Sequence, residues 1–491
     1  MTPLPRPDKE VALADWAAMG DGWTRLPYLA RFPRRKLPAS WAGLLSGRHC
    51  AVLESGRTGR YTVVVPNAQH VWRFDAAGSA TLYQEGGAQT LPNTRALDAI
   101  ASWVRTHRAP RVSGWPAFQG GLVVALGYEL ASELEPVPAA SDDLRLPRAV
   151  LLEASEALVY DAVTSELTAV VLVDAVHADG TAHFAAAEKA RQLASAWDRA
   201  CVQSAPTLGP VGEPAPIVSE SLNAADFAHA VERVQAFIAA GDTYQVNLST
   251  RLELPAPTDA LRLYEAVRAT NPSPYMGYVQ MPGVKLVCGS PELLVESFGT
   301  RLSSRPIAGT RPFTGAEDVD RAFSTELASD SKERAEHLML VDLLRNDLGR
   351  VSRPGTVRVP EFMTIERYSH VIHLVSQVEG ERAATAGPAE IIRALFPGGT
   401  ITGAPKVRTM QVIAELEPVA RGFYTGSIGW IGASGDLCLN IIIRSLSLTQ
   451  GRCFAQAGAG IVADSAPAKE HAESLRKALA LRVALARALQ P

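Results

Sequence analysis

LNIIIRSLSLTQGRCFAQA (Leu439–Ala457) reads as two strands, Leu439–Leu448 and Arg452–Ala457, with only Thr449–Gly451 between them. β-Branched and apolar residues dominate both runs, as strands require. A glycine-rich stretch, AGAGIVADS (Ala457–Ser465), follows, and Pro467–Leu489 then has the pattern of a helix. Strand runs mixed with separate helices, without a strict βαβ alternation, define an α+β chain with largely antiparallel sheets.

The same signals extend upstream. Strands are expected at Thr243–Thr250, Tyr275–Gln280, Lys285–Ser290 and Gly426–Ile431, and helices at Ser331–Leu348, Ala389–Leu395 and Val407–Leu416. Asn223 can cap a helix that carries Phe227, Val231, Val234, Phe237 and Ile238 on one face and stops at Gly241. Before these lies APTLGPVGEPAP (Ala205–Pro216), with four prolines and two glycines. Proline fixes φ and lacks an N–H, so the stretch is read as an extended connector. It divides the chain into 1–204, a connector at 205–218, and 219–491. The first part is mostly strands and hairpins: CAVLES (Cys50–Ser55) and YTVVVP (Tyr61–Pro66), then Leu151–Tyr160 and Leu167–Val173 joined through Asp161–Glu166, and a helix over His183–Trp197.

At 491 residues, with 47% apolar and 20% charged residues, most of the chain should be globular. A net charge of −3 without long runs of one sign argues against a nucleic-acid surface, which needs a clustered basic face. The five cysteines are dispersed, as buried thiols of a reducing compartment are. No apolar run approaches the roughly 20 residues of a membrane helix, and MTPLPRPDKEVALAD lacks a signal peptide's apolar core. A cytoplasmic protein is expected.

Four features could carry chemistry. In KEHAESLRK, Glu470, Glu473 and Lys477 lie at i, i+3 and i+7, one narrow stripe of a helix. Two carboxylates there could hold a divalent cation, with the lysine meeting an anion the metal also binds; a solvated Glu–Lys face has the same spacing. In SDSKERAEHLMLVDLLRND, Glu336 falls where charged turns give way to apolar ones, a place for a half-buried carboxylate or an ordinary amphipathic boundary. FPGGTITGAPK (Phe396–Lys406) and AGAGIVADS offer exposed amides that suit carboxylates or phosphates, and serve equally as tight turns. His373 sits in an alternating segment that reads as a strand.

Taken in order, these strings resemble the chorismate-utilising enzymes from about Leu222 to Ala486. The matching segments are GDTYQVNLS (Gly241–Ser249), NPSPYMGY (Asn271–Tyr278), GSPELLV (Gly289–Val295), RPIAGTR (Arg305–Arg311), EHLMLVDLLRNDLGRV (Glu336–Val351), RYSHVIHLVS, FPGGTITGAPK, YTGSIGW (Tyr424–Trp430), IIIRSL (Ile441–Leu446) and GAGIVADS. GGLVVALGYEL (Gly120–Leu130) and LESGRTGRYT (Leu53–Thr62) extend the likeness as in the aminating members. The resemblance implies large antiparallel sheets in a sandwich flanked by helices. It implies magnesium (Mg2+) held by Glu336 and Glu473 with Glu470 close by, and chorismate carboxylates held by Arg444, Tyr424, the Gly460 amide and Lys477, with Thr400 lining the site. Glu292 resembles the general acid for the departing 4-hydroxyl, and His373 a residue that orients or protonates. Ala308 and Thr310 fall at catalytic positions of RPIAGTR. A tryptophan-sized pocket is implied beside Leu53, Glu54, Ser55, Asn271, Pro272, Tyr275 and Met276.

The family members that add water carry a lysine where this chain has Gln245. A glutamine cannot act as a general base, so ammonia becomes the expected nucleophile. No cysteine here sits in a GxCxG elbow, so a separate glutamine amidotransferase subunit would supply it. The resemblance leans to 4-amino-4-deoxychorismate as product; Ala308 in PIAGT, where a lysine often stands in that branch, leans to anthranilate and pyruvate. An inactive scaffold is the third alternative.

Overall fold

The computed structural model describes residues 4–490 other than 46, 57, 58, 77 and 368–370; Thr310 and Val371 are described by their backbone alone. Two antiparallel sheets dominate, one of thirteen described strands and one of twelve. The larger runs through Arg25–Phe32, Glu166–Asp174, Glu156–Asp161, Tyr61–Val65 and Cys50–Glu54, then through Tyr275–Met281, Val284–Ser290, Ser445–Thr449, Arg452–Ile461 and Gln245–Leu254. The smaller places Ile307–Pro312, Val371–Glu381, Arg301–Arg305, Leu293–Phe298, Leu437–Ile441 and Ser427–Gly432 beside Gly121–Leu126 and Ala149–Ala154.

Both sheets therefore contain strands from either side of 205–218. Cys50–Glu54 pairs with Tyr275–Met281, and Gly121–Leu126 with Ser427–Gly432. The proline-rich stretch forms no helix or strand. It is strapped to the last helix, Pro467–Leu489, by Gly209 N–H to the Arg487 carbonyl (3.0 Å) and Ala215 N–H to the Arg482 carbonyl (3.0 Å).

GLVVAL (Gly121–Leu126) shows why the sheets are so apolar. Val123 and Ala125 join a core that also takes in Val52 and Val64 of the other sheet, whereas Leu122, Val124 and Leu126 join a second core with helix residues Leu97 and Ile100. A strand buried on both faces reads as a continuous hydrophobic run rather than an alternating one.

Two expected strands are in fact two strands each. Leu439–Leu448 breaks at Ile442–Arg444: Leu437–Ile441 belongs to the smaller sheet and Ser445–Thr449 to the larger, and Arg444 takes φ +50° at the switch. Leu151–Tyr160 likewise divides into Ala149–Ala154 and Glu156–Asp161, one in each sheet. Strands that change sheets form the corners of a packed pair of sheets. The Asn223 cap is as expected: its side chain accepts from the amides of Ala225 and Asp226 at the start of Ala224–Ala239.

Between the sheets' ends lies a buried ion pair. Arg421 donates to both oxygens of Glu417 (2.7 and 2.8 Å), to the carbonyls of Asn247 (2.6 Å) and Ile401 (3.1 Å), and to Thr425 Oγ1 (3.2 Å). Glu417 also accepts from the amide and hydroxyl of Ser249 (2.9 and 2.8 Å). Removing one partner of such a pair strands the other charge in the interior. Glu417→Ala should therefore cost about 3–5 kcal/mol, read as a lower urea midpoint at unchanged slope; a midpoint equal to the parent's would refute this role.

Candidate active site

Two adjacent sheet crossovers build the centre of the site. The chain leaves Val284–Ser290 of the larger sheet, passes Pro291 and Glu292, and enters Leu293–Phe298 of the smaller. Beside it, Leu437–Ile441 leaves the smaller sheet and passes through Arg444 into Ser445–Thr449. The crossovers complete each other's backbone bonds: Ile441 N–H to the Glu292 carbonyl (3.1 Å) and Gly289 N–H to the Arg444 carbonyl (3.0 Å). Glu292 and Arg444 are thereby held side by side.

Burial pushes the Glu292 carboxyl up to about 7, against the pull of Thr400, Arg444 and Lys477. The Thr400 hydroxyl is buried beside it without completing a well-aligned hydrogen bond. Arg444 is half-buried, and burial lowers its pKa while Glu292 partly restores it. No ion pair or side-chain hydrogen bond engages Arg444 among the described residues. A half-buried cation in that condition is a ready partner for an anionic ligand.

The floor comes from the larger sheet and two helices. Gln245, at the start of Gln245–Leu254, donates from Nε2 to Glu336 Oε1 (2.5 Å) on helix Ser331–Gly349, and its own Oε1 is buried without a partner. Burial raises the Glu336 pKa; the Gln245 amide and more distant Lys477 and Lys332 oppose this, and Glu333 adds to it. Gly460 pairs with Asn247 on the neighbouring strand, and a side chain there would run into Gln245. Lys477 lies 2.9 Å from Glu473 and donates to the Gly458 carbonyl at 3.0 Å. Glu470 is half-buried one turn earlier on the same helix.

His373 lies opposite, on Val371–Glu381, paired with Thr310. Gly309, at φ +60°, makes the bulge between Ala308 and Thr310 and turns its carbonyl to within 3.2 Å of His373 Nδ1. A carbonyl only accepts, so Nδ1 carries the proton and Nε2 is the acceptor nitrogen. Burial, helped by Arg444, lowers this imidazole to about 4, so it is neutral at pH 7. Ala308 is buried and brings no amine; the side chain of Thr310 lies outside the described residues. Tyr424 is pushed up to about 12 by burial, against the pull of Arg421 and Asn247, and Arg421 stacks 5.7 Å from its ring.

The expected carboxylates are not gathered into a cage. Glu336 faces Gln245 and Glu473 faces Lys477, and among the described residues no three His, Cys, Asp or Glu side chains converge on one point. The segments expected to frame a tryptophan-sized pocket are brought together, since Glu54 pairs with Met276 and Leu53 with Gly277. Asn271, with its Nδ2 buried and unpartnered, and Pro272 lead into the strand that Tyr275 begins, and Ser55 follows Glu54. Glu54 itself is engaged by Trp41 Nε1 (3.1 Å), Tyr264 OH (2.5 Å) and Arg268 (3.0 Å).

Sequence reading passed over Asn247, Glu417 and Arg421. Gln245, Asn247 and Ser249 alternate along one strand and are all buried, so they share a face that leads from Glu336 to the Glu417–Arg421 pair. The signal was a polar stripe of period two inside an apolar strand.

A family model described as chorismate binding enzyme matches residues 49–482. Aminodeoxychorismate synthase component 1 of Bacillus subtilis is 42% identical over 443 residues, 90% of this chain and 92% of that one. Anthranilate synthase component 1 of Streptomyces coelicolor is 42% identical over 400 residues, 80% of this chain and 78% of that one. The crystal structure of anthranilate synthase component I from Streptococcus pneumoniae superposes with a TM-score of 0.74 at 30% identity, covering 87% of this chain and 92% of that one.

Gly460 gives a direct test of the floor. A Cβ there would stand 2.4 Å from Gln245 Nε2 and 3.6 Å from Glu336 Oε1. The obstructing atom ends a flexible side chain, so Gly460→Ala should keep the melting temperature within a few degrees while displacing Gln245. Ligand affinity and turnover are then expected to fall together by about tenfold or more; unchanged kinetics would show that the floor does not depend on this contact.

Proposed function

This chain belongs to the chorismate binding enzyme family, and on that premise we propose that it aminates chorismate to 4-amino-4-deoxychorismate, using ammonia from a separate glutamine amidotransferase subunit. Gln245 carries the reading. Its amide is already given to Glu336, and an amide takes no proton from water, so the floor offers no base at this position. A nucleophile that arrives as free ammonia needs none. The choice of product is supported by the B. subtilis relative, whose match extends over 90% of the chain at the identity the S. coelicolor anthranilate synthase reaches over 80%. Ala308 favours the second reading, anthranilate with loss of pyruvate.

In this mechanism Arg444 and Lys477 receive the two carboxylates of chorismate, and Tyr424, Thr400 and the Gly460 amide shape the space around the ring. Protonated Glu292 gives its proton to the departing 4-hydroxyl. The C4–O bond breaks, a C4–N bond forms, and the proton lost from nitrogen restores Glu292, so chorismate and ammonia become product and water. With Ala308 in place of an amine, the route contains no covalent lysine adduct. Neutral His373 orients the ring.

Magnesium is part of the proposal. Glu336, Glu470 and Glu473 are oxygen donors of the kind it takes alongside water and a ligand carboxylate. The raised Glu336 carboxyl, with only an amide hydrogen-bonded to it, fits a site that gains a cation. Bound there, the metal would neutralise a ring carboxylate and supply Lewis-acid polarisation.

Chorismate, magnesium and an ammonium salt should yield 4-aminobenzoate only when aminodeoxychorismate lyase is added, and EDTA should abolish the product. Fluorescent anthranilate without lyase would replace this reading by its rival; no aminated product under either condition would leave the inactive scaffold.

Glu292 works here as the acid, so its charged form is the inactive one. With a pKa of about 7 in the free enzyme, kcat/KM expressed per concentration of free ammonia should be level below that pH and fall about tenfold per unit above it. Glu292→Gln should lose about 10²–10⁴ in kcat; a flat profile up to pH 9 would remove Glu292 from this role.

A further inference from the structure

At the opposite end of the same strands is a second cleft, of about 440 Å³, within the range of small-molecule sites. The turn between Tyr275–Met281 and Val284–Ser290, the turn between Ser445–Thr449 and Arg452–Ile461, and the segment before Cys50–Glu54 enclose it. Lys285 to Ser290 spans five residues of strand, which separates this cleft from Glu292 and Arg444 by about 17 Å.

Its lining is one-sided in charge. Arg48, Lys285 and Arg452 line it, and no Asp or Glu does so among the described residues. Arg452 is already satisfied by two bonds to Glu253 (2.9 and 2.6 Å). Arg48 and half-buried Lys285 have no side-chain hydrogen bond or ion pair among the described residues. His49, only 8% exposed, also lines the cleft.

These groups are also held in place. Gln280 donates to the Arg48 carbonyl (3.0 Å) and accepts from Tyr278 OH (3.0 Å), and the His49 carbonyl accepts from Ala68 N–H (2.7 Å). Tyr83 meets the imidazole edge-on at 5.9 Å. Burial and Arg48 keep His49 below its usual range, so the charge of the lining comes from the cations.

We propose that this cleft is a binding site for a small oxyanion, a carboxylate- or phosphate-bearing molecule gripped by Arg48 and Lys285. Such charge-assisted bonds are the strong ones in polar recognition. Val284–Ser290 and Ser445–Thr449 form its floor and run from it to Glu292 and Arg444, so the site is separate from the catalytic one yet shares its framework.

The test is calorimetric titration of the full chain with inorganic phosphate and, separately, with citrate, at constant ionic strength set by chloride. One site of about millimolar affinity or better is expected for at least one anion. Arg48→Ala/Lys285→Ala should weaken it at least about tenfold, as should Lys285→Met alone, with circular dichroism and melting temperature unchanged. Phosphate binding alone would assign a phosphate-bearing ligand, and citrate alone a polycarboxylate. Binding of neither anion, or equal binding by parent and well-folded variants, overturns the proposal.

Discussion

A strand that passes from one sheet to the other must spend a few residues outside both hydrogen-bond ladders, and this molecule places its chemistry there. Glu292 lies in one such passage and Arg444 in the next. Residues in a ladder must point squarely to one face or the other; residues between ladders can aim along the sheet ends. The cost is backbone groups with no regular partner; two are met across the crossovers and two by the segment before Ser427–Gly432. Ile441 and Gly289 bond across to the carbonyls of Glu292 and Arg444, while Thr425 N–H reaches the Ile442 carbonyl (2.7 Å) and Ile442 N–H the Gly426 carbonyl (2.9 Å). Neither crossover could be moved without unpairing the other, so the acid and the cation keep a fixed relation.

The electrostatics follow from that arrangement. Two carboxylates, Glu292 and Glu336, are desolvated enough to be raised, and the cations near them are Arg444 and Lys477. Neither carboxylate forms an ion pair among the described residues, in contrast to the closed Arg421–Glu417 pair a short way off. Buried charges left open are costly in a resting protein. Arg421–Glu417 acts as scaffold, with every donor used; Arg444 and Glu292 retain unused capacity, the condition for binding a ligand that carries charge of its own.

How far this was legible in the sequence depends on distance along the chain. The Asn223 cap, the helix it begins, and the strands through Tyr275–Met281 and Arg452–Ile461 follow from local pattern. The crossovers do not. IIIRSLSL runs without glycine or proline through a residue at φ +50°, and a non-glycine left-handed residue leaves no mark in hydrophobic periodicity. The strand around Ser155 likewise changes sheet with no glycine or proline to mark it. Glu292, Gln245 and Arg444 were singled out through resemblance rather than spacing, because their partners lie on other strands and helices. Glu473 and Lys477, one turn apart, were legible directly, and they form the ion pair their spacing predicts.

The state of His373 bears on which nucleophile this framework can use. Its Nδ1 proton is directed to the Gly309 carbonyl, and burial beside Arg444 keeps the ring neutral. Gln245, across the floor, has an amide committed to Glu336. Glu336 has an elevated affinity for protons, yet the Gln245 hydrogen bond holds one of its oxygens. Gln245 is thus not a base, His373 is weakly basic, and Glu336 has one oxygen already engaged. A nucleophile that must be deprotonated finds little help here, whereas one that arrives with a free lone pair requires only a place beside the ring and an acid for the leaving oxygen, and Glu292 is poised as that acid.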